Sequence, residues 1–113
     1  MTNRAATRTG LAFPLLCRVQ DLPEPVAEYA FHPERKWRFD FCWVEARVAL
    51  ECNGGVWTAG RHVRARGYLG DLAKLNEAQL CGWLVLQVVP EALTSAVTFD
   101  LVRRALARRV ATA

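Results

Sequence analysis

The sequence predicts a mixed α+β fold, a sheet with helices on its faces, in the order α-β-β-β-α-β-α. Three observations lead there. Large aromatics at every second position, Trp37, Phe39, Phe41 and Trp43, mark a strand with one buried face. The nearly unbroken apolar run WLVLQVV at 83–89 marks another strand, buried on both faces and therefore central to the sheet. Between them, Leu72, Leu75 and Ala78 at helical spacing supply a crossover, so part of the sheet is parallel.

Length and composition fit one folded domain. The chain has 113 residues, 52% of them hydrophobic and 23% charged, enough for a single core. Residues 1–10 are basic and without periodicity and read as a flexible tail, leaving 11–113 as the domain. The four cysteines, Cys17, Cys42, Cys52 and Cys81, are widely spaced with no CxxC pair, which argues against a zinc site or a disulfide framework. A reducing cytoplasm fits that usage. No apolar stretch approaches membrane-spanning length, and the first residues lack the apolar core of a signal peptide. The net charge of +4 is mild, so its distribution carries more information than its size.

In chain order, the apolar segment 11–20 predicts a short helix, broken by Asp21, Pro23 and Pro25. Residues 26–31 alternate as a first strand, and His32-Pro33-Glu34 turns the chain into the aromatic strand. A turn near Glu45 and Ala46 leads to a third strand. There Val48, Leu50 and Cys52 lie on one side, and Arg47, Ala49, Glu51 and Asn53 on the other. A helix over 70–82 follows, with Asp71 at its start and Gly82 at its end. After the strand at 83–89, Pro90 intervenes before a last helix over 95–109. That helix carries Phe99, Val102, Leu106 and Val110 on one face, and Arg103, Arg104, Arg108 and Arg109 at its end.

The hairpin from Arg35 to Gly55 brings acids together. A two-residue turn at 45–46 sets Asp40 opposite Glu51, where side chains stand about 5 Å apart and like charges destabilise a sheet. Slipping the register by one residue would turn the aromatics to the wrong face, which holds the two acids in place. A short loop at 32–34 sets Glu28 opposite Asp40, giving a row of three carboxylates across three strands. A hard divalent cation such as Mg²⁺ is the usual reason to hold carboxylates so close.

Cationic residues surround this row. Residues 54–70 contain five of the seven glycines together with Arg61, His62, Arg64 and Arg66, and no acid lies between Glu51 and Asp71. This reads as a flexible basic loop able to follow a phosphate backbone, with Val56, Trp57 and Tyr68 adding apolar and aromatic surface. Arg38, beside Asp40, joins the same DNA-contacting set. On the helix, Lys74 either pairs with Asp71 three residues earlier or reaches the carboxylate row; spacing alone favours neither.

A family resemblance rests on these residues. The hairpin RFDFCW…ALECNGG, then VWTAGRH, then Asp71, Lys74 and Asn76 and the pair Gly82-Trp83, resembles the restriction-endonuclease-like core of the PD-(D/E)xK nuclease superfamily. Within it, the chain is similar to small phage and bacterial nucleases of the Holliday junction resolvase kind. The likeness covers roughly residues 28–88. The superfamily's short motif is weakly specific alone, and the longer run from Phe31 to Trp83 is more so.

The resemblance implies Asp40 and Glu51 as the motif acids and metal ligands, and Glu28 as an upstream third ligand. It also implies Mg²⁺, with Mn²⁺ as a substitute. The motif lysine falls at position 53, where the chain has Asn53 instead. An amide carries no charge and takes up no proton, though it orients water. Lys74 is then the relocated cation, and His62 a reserve. The expected activity is Mg²⁺-dependent endonucleolytic cleavage of DNA, most specifically of four-way junctions, in a bacterial or phage-infected cytoplasm. No recognition helix is evident for reading bases in a groove, which favours shape over sequence. Symmetrical cutting calls for a twofold homodimer. Two alternatives share these residues. One is a mismatch, restriction or nicking endonuclease on the same core. The other is a non-catalytic DNA-binding module in which Arg38 and Arg47 pair with Asp40 and Glu51.

Overall fold

Three helices pack on a four-stranded mixed sheet in the computed structural model, which describes residues 7–53 and 61–112, with side chains at 7–53 and 69–110. In chain order the elements are α1 (Arg8–Val19), β1 (Val26–Ala30), β2 (Arg38–Trp43), β3 (Val48–Cys52), α2 (Arg61–Leu80), β4 (Leu84–Val88) and α3 (Ala96–Thr112), with a 3₁₀ turn at Pro90–Ala92. The sheet runs β1-β2-β3-β4; the first two pairings are antiparallel and β3–β4 is parallel. Among the described residues, no helix is long and apolar enough to cross a membrane.

α1 starts earlier than its apolar run because Thr7 caps it: the Gly10 N–H donates to Thr7 Oγ1 at 3.0 Å. This draws residues 8–10 out of the expected tail and into the helix. One side of the sheet is filled by Phe13 and Cys17 of α1, Phe99 and Val102 of α3, and Phe41, Trp43, Val48 and Leu50 of the strands. Phe13 is the hub, its ring centre 4.7 Å from that of Phe41 and 5.7 Å from that of Phe99. Trp43 is buried and donates Nε1–H to Pro23 O at 2.7 Å, so it belongs to the interior. Trp57 lies outside the described residues. Val110, expected on the buried face of α3, is exposed, because the helix runs on past the edge of the core. Its arginines tie it down: Arg103 donates to Gln20 O, and Arg109 donates to Arg47 O and Gly82 O.

The opposite side of the sheet holds a smaller core of Phe39, Cys42, Ala49, Ala78 and Trp83 beneath α2. The aromatics of β2 therefore divide. Phe41 and Trp43 face α1 and α3, whereas Phe39 faces α2, contrary to the single buried face their alternation suggests. The alternation breaks at Asp40. On β1 the matching break is at Glu28, whose backbone has φ 54°, a left-handed conformation uncommon for a residue with a Cβ. The cross-strand partners on either side, Ala27↔Phe41 and Tyr29↔Phe39, leave Glu28 and Asp40 facing each other between them.

Two further expectations change. β4 is an edge strand and only partly buried. β3 is the strand buried along its whole length, since β2 and β4 flank it and cores cover both its faces. The β1–β2 connection spans residues 31–37 instead of a short loop at 32–34. The His32 ring organises it, Nδ1 accepting the N–H groups of Glu34 and Arg35 at 3.1 and 3.0 Å.

α2 begins at Arg61, so the backbone carrying Arg61, His62, Arg64 and Arg66 is helical and not a loop. Glycine richness suggested a loop, but Ala65, Leu69 and the arginines interspersed there are good helix formers, and each glycine costs only about 1 kcal/mol against alanine. The side chains of these four residues, and residues 54–60, lie outside the described set. Gly70 sits within this helix, and a Cβ built there meets nothing within 4 Å. Gly70→Ala is accordingly expected to raise the unfolding free energy by about 0.5–1 kcal/mol in urea titration, whereas a loop glycine needing φ > 0 would lose stability. At the other end, Gly82 with φ 89° closes α2, and the Trp83 N–H returns to Ala78 O at 3.0 Å.

Candidate active site

The site lies where the β2–β3 ladder opens. The last paired residues are Phe41 and Leu50. Beyond them the Asp40 N–H donates to Glu51 Oε2 at 2.7 Å, and the Cys52 N–H donates to Asp40 Oδ2 at 2.8 Å. Two carboxylates thus take the acceptor role that main-chain carbonyls fill elsewhere in the sheet. β3 stays straight because its other edge is fully paired to β4, from Val48↔Leu84 to Cys52↔Val88.

Lys74 reaches Glu51. Its Nζ, carried by α2, donates to Glu51 Oε1, and the side chains are 20% and 11% exposed, so the pair is shielded from water. The partner is not Asp71, which is exposed at the mouth of the same cleft. The Phe39 ring lies beneath the ammonium, its centre 6.0 Å away. Asn53 lines this cleft too and donates Nδ2–H to Gln87 Oε1 on β4. Sequence reasoning missed Gln87, although a lone polar residue within WLVLQVV was the available signal. The cleft is narrow, about 30 Å³.

Burial raises the Glu51 carboxyl above its ordinary 4.5, with the Lys74 ammonium pulling against it and the Asp40 charge adding to the rise. Glu28 is also raised, by burial and then by the Asp40 charge, while Arg38 and Lys74 draw it down. Glu28, Asp40, Glu51 and Lys74 therefore act on one another. Arg38 is exposed and bears on Glu28. Arg47 extends over the Trp83 ring at 5.4 Å, so the cation at Glu51 is Lys74 and neither strand arginine.

The donor set can be weighed against a divalent cation. Among the described residues, no group of three or more His, Cys, Asp or Glu side chains is arranged to hold a metal ion. The interlocked pair Asp40 and Glu51 offers hard carboxylate oxygens, and Mg²⁺ is commonly bound through one or two carboxylates, keeping several waters and taking substrate phosphates as further ligands. Asp40 and Glu51 are the two carboxylates that would act in that mode, and they already carry Lys74 and two main-chain N–H groups. Burial pushes the Cys17 and Cys42 thiols up to about 12, which makes them poor metal ligands.

Comparison with protein-family models, with curated proteins and with solved structures finds no match for this chain.

Proposed function

We propose that the protein is a metal-dependent DNA endonuclease with a restriction-endonuclease-like core, acting on four-way junctions as a twofold homodimer. One observation carries the reading: Lys74 crosses from α2 to Glu51 beside Asp40, assembling an Asp-Glu-Lys set at the opening of two strands. An antiparallel β1-β2-β3 meander followed by a helical crossover to a parallel β4 supports it as well.

The chemistry follows from charge. A DNA phosphodiester repels an incoming nucleophile, so cleavage needs positive charge at the phosphate. Asp40 and Glu51 would hold Mg²⁺ or Mn²⁺, with water and substrate phosphate oxygens completing the shell and Glu28 adding negative charge beside Asp40. A divalent ion supplies Lewis acidity toward the phosphate and a lower pKa for water. Lys74, with three donors, would keep Glu51 and also bond a phosphate oxygen. Asn53 retains an N–H and a carbonyl with which to orient water. Arg38 and the basic start of α2, with Arg61, His62, Arg64 and Arg66, would contact the backbone, making binding fall steeply with salt.

The non-catalytic reading has its own observation, since both Glu51 oxygens already have partners in Lys74 and the Asp40 N–H. End-labelled junctions and linear duplexes of matching sequence, incubated with Mg²⁺ or with EDTA, separate the readings. The expected result is paired cuts in the junction with Mg²⁺ and none with EDTA. Binding without cleavage under every metal condition favours the non-catalytic module; preferential cutting of linear duplex favours a restriction or mismatch enzyme.

A further inference from the structure

A second hollow, of about 480 Å³, lies between the 31–37 connection and α2, a size typical of small-molecule sites. We infer that it receives one unpaired nucleobase of single-stranded DNA. The inference concerns a place apart from the Asp40–Glu51 cleft and stands whether or not the protein cuts phosphodiesters.

The wall is Trp37, with the Arg35 guanidinium 4.2 Å from its ring centre. Behind it runs an aromatic column into the core. Phe31 lies within 14° of parallel to Trp37 at 6.4 Å, and stacks on buried Phe39 at 4.1 Å and 6°. The His32 ring meets Trp37 edge-on at 5.4 Å. The plane of Trp37 is therefore set before any ligand arrives, which lowers the entropy cost of stacking on it. Arg35 is exposed, so its side chain can lift and close again on a base. The base then lies between an indole and a guanidinium, both of which stack on π-faces without regard to sequence.

The opposite wall gives the pocket polarity. Glu77 and Asn76 of α2 line it. Because His32 Nδ1 accepts two backbone N–H groups, the neutral ring carries its proton on Nε2, which faces Glu77 Oε1 at 3.3 Å. That contact steadies Glu77 as an acceptor, and every base offers an N–H on its pairing edge. Outside the hollow, Lys36 and Arg38 are exposed, two cations for the phosphates beside the bound base. A base stacked within a duplex does not enter such a pocket unless it leaves the stack.

The test is fluorescence anisotropy in EDTA with a labelled mixed-sequence single strand and a matching strand of abasic sites, equal in charge. Trp37→Ala is expected to weaken binding of the base-containing strand by about ten- to a hundredfold. Trp37→Phe retains most of the affinity, and both variants bind the abasic strand like the parent. Arg35→Ala, at an exposed position, serves if Trp37→Ala does not fold; it should weaken the base-containing strand more than the abasic one. The inference is overturned if Trp37→Ala binds the base-containing strand normally. It is equally overturned if either variant loses the same affinity for both strands. Because no metal is present, a failure of cleavage leaves this result untouched.

Discussion

Asp40→Asn is expected to lower the rate of Mg²⁺-dependent DNA cleavage by about a thousandfold or more while leaving the protein folded. Asparagine keeps a carbonyl oxygen able to accept the Cys52 N–H, so the bond at the end of the β2–β3 ladder persists. What disappears is the negative charge that would hold a divalent cation beside Glu51. The same loss should lower the Glu28 carboxyl, which the Asp40 charge helps to raise. Single-turnover cleavage and a thermal melt on one preparation provide the check. A folded Asp40→Asn protein that cleaves at the parental rate would remove Asp40 from the chemistry and the proposed metal site with it.

Lys74→Met should cost about 3–5 kcal/mol of stability where Glu51 is ionised, since it leaves a buried carboxylate without its cation. Proton uptake by Glu51 caps that loss, which makes it depend on pH. The folded-state pKa of Glu51 is raised above its unfolded value, so the folded protein binds more protons over that interval. The stability this contributes is present in full below about 4.5 and is lost as pH rises through the folded value. Removing Lys74 takes away the main influence holding that value down, and the interval widens upward. The penalty for Lys74→Met should thus be small in acid and grow toward neutral pH. Adding Glu51→Gln should recover part of it. Urea titrations across a pH series measure this directly, and a penalty independent of pH would show that Lys74 acts through packing alone.

The order of elements was legible in the sequence because it rests on periodicity and turn residues, which are local. The position of Glu51 opposite Asp40 was legible for the same reason: the turn around Glu45 and Ala46 preserves the register implied by the strand pattern. What escaped depended on distant parts of the chain. Nothing near Lys74 reveals which acid it meets, since Glu51 lies 23 residues away. The edge position of β4 follows from where the crossover lands, not from the apolarity of its own residues. The division of the β2 aromatics was hidden because an interrupted alternation and a continuous one look alike when every second residue is aromatic. Glycines at positions 67 and 70 suggested a loop because propensity was weighed without the tertiary packing of the helix that contains them.

The break shared by β1 and β2 has a consequence for what this hairpin is built to hold. Take away Glu28 and Asp40 together and the remaining residues join into an unbroken ladder, Ala27↔Phe41 running directly into Tyr29↔Phe39 with Phe41 still on one core and Phe39 and Tyr29 on the other. Neither acid is needed to complete the β1–β2 pairing. The architecture accommodates them as a pair of insertions, one per strand, at the cost of a left-handed backbone at Glu28.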